Sequence, residues 1–134
     1  MRKLQTVAIL ATAFVAGVLL AQGDGEYQSW MKMVAASNGS LQKNLQAKNA
    51  SGVETDAKSL ESTFKQVESF WEKKGASDAV NFAKQAQTAA AAIAKDAAGN
   101  NMDQAGSDAK MLAATCGGCH MAHRQKGENG FTIK

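Results

Sequence analysis

SGVETDAKSLESTFKQVESFWEKKG, residues 51–75, carries the cleanest periodic signal in the chain. Val53, Ala57, Leu60, Phe64, Val67 and Trp71 recur at alternating steps of four and three, which places them on one stripe of a helix turning every ~3.6 residues. Ser51-Gly52-Val53-Glu54 reads as a capping box at its start, and Gly75 marks its end.

Working outward, Tyr27, Trp30, Met31, Val34, Leu41 and Leu45 upstream also keep helical spacing, with polar Gln42, Lys43 and Asn44 between the last two. Downstream, Ser77 reads as the cap of a third helix with an inward face of Val80, Ala83, Ala86, Ala90, Ile93 and Ala97, and Gly99 as its left-handed terminator. A fourth helix begins at Asn101, where Gln104 completes another capping box. It aligns Met102, Ala105, Ala109, Leu112, Cys116, Cys119, His120 and His123 on one stripe and ends near Gly127, leaving residues 128–134 as a tail. No useful length alternates with period two, and no strand-like runs flank an Asn-Gly or Asp-Gly pair, so strand content near zero is expected. The reading is all-α: an antiparallel up-down-up-down four-helix bundle with short loops. Fifteen alanines between Ala76 and Ala114 permit close helix approach but bury little area each, so the core has room for something else.

A length of 134 residues, 45% hydrophobic and 20% charged, fits one domain. The absence of proline, with only 12 glycines, excludes collagen-like and proline-rich chains, and the apolar content excludes disorder. Met1-Arg2-Lys3 followed by the apolar run Val7 to Ala21 and the small residues of Ala21-Gln22-Gly23 reads as a secretory signal spanning 1–23. Cleavage after Gly23, or alternatively after Ala21, leaves a single domain over 24–134, periplasmic in a bacterium. The apolar run is shorter than the ~20 residues of a spanning helix, so no stable membrane anchor is expected after cleavage. Without that segment Arg124 is the one remaining arginine and the lysines are scattered, which excludes a nucleic-acid binder.

Cys116-Gly117-Gly118-Cys119-His120 has the C-x-x-C-H pattern of c-type haem attachment. Thiols three positions apart lie on one helix face and can add to two vinyl groups of one porphyrin, while the adjacent imidazole takes an axial position on the iron. The glycine pair costs helix stability, about 1 kcal/mol each relative to alanine, but keeps bulk away from the ring edge. A disulfide would close an awkward small ring. A thioredoxin-type pair needs a strand leading into a helix N-terminus, and zinc needs ligands from separated segments, whereas Cys116, Cys119, His120 and His123 crowd two turns of one stripe.

A four-helix pattern with this motif near its C-terminus, and Arg124 four residues after the histidine, resembles the class II c-type cytochromes, cytochrome c′ and its low-spin relatives. Gln28-Ser29-Trp30-Met31-Lys32 is similar to the family's first-helix segment facing the distal side of the haem. The resemblance implies one haem c held by thioethers to Cys116 and Cys119, His120 as the fifth iron ligand and Met31 as the sixth. It implies one-electron transfer to redox partner proteins rather than enzymatic turnover. An open sixth site, which other members have, would instead bind small gases such as nitric oxide or carbon monoxide. Independently, Met31 and His120 fall level if the first and fourth helices are antiparallel neighbours, while Met33 points away. Arg124 matches the family's proximal arginine, Tyr27 and Trp30 are candidates for the distal wall, and the resemblance allows a homodimer. Tyr27 stands where the family commonly has an arginine, and Gly130-Phe131-Thr132-Ile133-Lys134 is an added tail.

Overall fold

The computed structural model describes the backbone from Ala13 and the side chains from Gly23 to Lys134. Residues 1–12 of the segment read as an export signal, and all side chains before Gly23, lie outside the described part. No described helix is long and apolar enough to cross a membrane.

Four helices follow one another: α1 (Ala13–Gln46), α2 (Ala50–Lys74), α3 (Ser77–Ala98) and α4 (Met102–His123). Each packs along its predecessor, α2 on α1, α3 on α2 and α4 on α3. Connections as short as Ala47-Lys48-Asn49, Gly75-Ala76 and Gly99-Asn100-Asn101 require successive helices to run antiparallel. The expected stripe of α2 is buried throughout, joined by Thr63 and Phe70. Leu41, Val53, Leu60, Ile93 and Leu112 are enclosed almost completely and form the centre of the core. Ala79, Ala83, Ala86, Ala90, Ala94 and Ala97 line the buried face of α3, so that the helix sits close against both neighbours.

Helix ends differ from the expected ones in ways that have local causes. The cap of α2 is Asn49 rather than Ser51: its side-chain oxygen accepts the Gly52 N–H at 3.1 Å, satisfying an orphan donor of the first turn. Lys48 at φ 53° ends the preceding turn. Ser77 lies inside α3, which starts after Ala76 with no side-chain cap, and Ala79 is buried where Val80 was expected to be. Gly99 keeps φ −82°; the left-handed residue is Asn100 at φ 58°, a conformation asparagine tolerates better than most. Asn101 occupies the cap position of α4 without a side-chain hydrogen bond, and Gln104 donates instead to Asp108 at 3.3 Å. Gly75 does terminate α2 in the left-handed region, at φ 71°. Gly75→Ala is therefore expected to destabilise the fold by about 1 kcal/mol, read as a lower urea midpoint at unchanged slope.

The expectation of negligible strand content is overturned at the C-terminus. α4 stops at His123, four residues short of Gly127, and the remaining chain folds back as β1 (Arg124–Gly127) and β2 (Gly130–Ile133). The strands are antiparallel, with Arg124 opposite Ile133 and Gly127 opposite Gly130, and the Lys134 N–H donates to the His123 carbonyl. Glu128-Asn129 is a two-residue loop followed by Gly130 at φ 123°, which a glycine accommodates.

Candidate functional site

α1 and α4, the first and last helices, meet over only a short stretch. Their separation leaves a cavity of about 540 Å³, inside the range of roughly 300–1,000 Å³ usual for small-molecule and cofactor sites. Leu60 and Phe64 of α2 and Leu112 of α4 line it with apolar surface. α1 contributes a run from Tyr27 to Asn38 that includes Met31 and Val34, α4 contributes Cys116, Cys119, His120, His123 and Arg124, and the hairpin adds residues 129–133.

Of the residues singled out from sequence, Tyr27, Met31, Cys116, Cys119, His120 and Arg124 all border this one space. Trp30 does not. It packs edge-on against Phe70 with ring centroids 6.3 Å apart, in an aromatic cluster of α1 and α2 that also holds Tyr27 and Trp71. One position along a helix turns a side chain by about 100°, enough to carry Trp30 off the cavity stripe on which Tyr27 and Met31 lie.

Cys116 and Cys119 are free and half-buried on α4. Burial pushes the Cys116 thiol up, and burial followed by Cys116 and Asp78 pushes Cys119 up to about 11. A redox-active cysteine pair has the opposite bias, toward thiolate. Nor do the two thiols and two imidazoles converge as zinc ligands: no group of three or more His, Cys, Asp or Glu side chains among the described residues is placed to hold a metal ion. His123 is instead bonded to Asp78 through Nε2 at 2.7 Å and lies 4.8 Å from the Trp71 ring.

The two intervening glycines differ in their reasons. Gly117 faces open space, whereas a Cβ on Gly118 would fall 2.8 Å from Phe82 Cε1 of α3. Gly118 is thus a helix-contact position, not only a residue that spares bulk near a ligand. Gly118→Ala is expected to lose about 1–3 kcal/mol by overpacking against the roughly 1 kcal/mol of helix propensity that Gly117→Ala gains in open space, and Phe82→Leu should recover part of the loss; equal thermal midpoints for Gly117→Ala and Gly118→Ala would contradict the contact.

His120 reaches the cavity with Arg124 behind it, Nη1 lying 3.4 Å from His120 Nδ1. Burial first, then the Arg124 charge, hold the His120 imidazolium below its ordinary pKa, favouring the neutral ring that can ligate. Tyr27 stacks on Phe70 at 4.6 Å, and burial with Cys119 nearby pushes its phenol up to about 12. Behind Tyr27 and His123, Trp71 Nε1 is buried without an acceptor among the described residues.

Sequence reasoning missed the hairpin's share of the site, and with it the bond in which the Gln28 amide donates to the Phe131 carbonyl at 3.4 Å. The Asn129-Gly130 pair was the available signal, obscured because Arg124-Gln125-Lys126 has nothing of a strand's composition. No family model matches this chain, and no curated protein or solved structure matches it either.

Proposed function

We propose that the chain is a periplasmic monohaem cytochrome c of the class II type, an electron carrier in which Cys116 and Cys119 tether the porphyrin and His120 and Met31 ligate the iron. The observation that carries this reading is that the whole C-x-x-C-H segment except Gly117 and Gly118, together with Met31 from the facing helix, borders a single cavity. The donor set fits the group. Two adjacent thiols suit two thioether bonds, an imidazole and a thioether suit a low-spin iron, and the apolar floor of Leu60, Phe64 and Leu112 suits a flat hydrophobic ring.

When bound, the haem supplies the one-electron iron couple. The chain's part is to hold and shield it. Met31 and His120, which both border the cavity, would hold the iron through a thioether and an imidazole. Val34, Leu60 and Phe64 exclude water and limit the reorganisation that accompanies a change of charge. Occupying the space between α1 and α4 would close the four helices into a complete up-down-up-down bundle.

The test is the visible spectrum of the exported chain, oxidised and reduced, with and without carbon monoxide. Sharp low-spin bands indifferent to the gas are expected; absence of haem bands overturns the proposal. A high-spin spectrum that shifts with carbon monoxide would keep the haem and replace the electron carrier by a gas-binding protein.

A further inference from the structure

Apolar walls explain why a hydrophobic ligand would enter this cavity, but not how it would be oriented there. The described residues bordering it include two cations, Lys32 and Arg124, and no carboxylate. Asp78 of α3, near the end of α4, is bonded to His123 Nε2 at 2.7 Å. Lys32 lies one turn from Gln28 on the same face of α1, and Gln28 is bonded to the Phe131 carbonyl of β2. The ring of Phe131, 56% exposed, carries the Arg124 guanidinium 3.8 Å from its centroid. In the hairpin register Lys126 faces Phe131 and Arg124 faces Ile133, so this is the diagonal contact on one face. Lys32, Gln28, Phe131 and Arg124 thus form a linked series along the edge where hairpin and α1 meet.

We propose that the C-terminal hairpin and the Gln28–Lys32 turn of α1 form a carboxylate-binding rim, so that the cavity takes an apolar ligand whose acidic groups lie at the hairpin end. In the haem reading, on which the assignment of the ligand rests, those groups are the two porphyrin propionates. The rim takes its charge from Lys32 on α1 and from Arg124, the first of the chain's last eleven residues. Phe131 is a positioning residue: its ring holds Arg124 over the rim and leaves the guanidinium's outer edge free to donate.

The full-length chain, produced in the cytoplasm so that no haem is attached, is titrated with iron-free protoporphyrin IX and separately with its dimethyl ester, following quenching of Trp30 and Trp71 fluorescence. The diacid is expected to bind at least tenfold more tightly than the diester. Lys32→Gln combined with Arg124→Gln should bring the ratio to about one through the diacid alone, while Lys58→Gln, on the exposed surface of α2, leaves it unchanged. Phe131→Ala should lower the ratio and Phe131→Tyr restore it, a rescue that a purely structural role for the hairpin does not predict. Equal binding of diacid and diester by the parent, or a ratio that survives loss of both cations, overturns the rim. Failure of the haem reading is distinguishable, because it appears as an exported chain without covalent haem whatever the diacid-to-diester ratio.

Discussion

Cys116→Ala combined with Cys119→Ala is expected to abolish covalent pigment completely when the chain is exported by a host that attaches haem. Acid–acetone extraction should leave the variant colourless and its mass that of the bare polypeptide, while the parent keeps both colour and added mass. Helicity is expected to fall modestly as well, at the α1–α4 edge, while the extensive α2–α3 and α3–α4 packing is kept. α1 and α4 contact each other only briefly, and the alanine-lined side of the core has little area with which to hold the fourth edge closed. The loss should appear in far-ultraviolet circular dichroism and as a lower thermal midpoint. A variant with covalent haem, or with circular dichroism identical to the loaded parent, contradicts the role given to these thiols.

Met31→Ala is expected to have the second largest effect. The parent's reduced spectrum should ignore carbon monoxide; the variant should become high-spin and bind the gas stoichiometrically, with a lower reduction potential because the thioether that favours the ferrous state is gone. The accompanying stability cost should be only about 1–2 kcal/mol, since Met31 is half-buried and its removal enlarges a space already present. Met33→Ala, at a position 50% exposed, serves as the control and should change neither spectrum nor gas reactivity. Identical carbon monoxide behaviour in parent and Met31→Ala would remove Met31 from the ligand set.

Much of this arrangement is legible from spacing. The stripe from Val53 to Trp71 is buried as its period requires, and the breaks at Gly75 and around Gly99 fall where helices end. Caps were less legible. Asn49, not Ser51, accepts the first-turn N–H of α2, because a cap is decided by which oxygen reaches the orphan donor once the turn at Lys48 has set the chain's approach. Trp30 could not be assigned by proximity in sequence either. It neighbours Met31, yet Phe70 on α2 offers it an aromatic contact away from the cavity.

The sequence by itself determined the elements: four helices, their inward stripes, and the placement of Cys116, Cys119 and His120 on one of them. These depend on interactions within about a turn, which residue order encodes directly. The tertiary structure decided what those residues face. Only packing sets how far α1 stands from α4, and so opens a cavity that Met31 and His120 both border. Only packing folds Arg124–Ile133 over its edge, where the Gln28 side-chain amide of α1 donates a hydrogen bond to the Phe131 carbonyl, a contact that no local period anticipates. Helix formation is governed by neighbours in the chain; the site also needs partners as distant as Gln28 and Phe131, 103 residues apart.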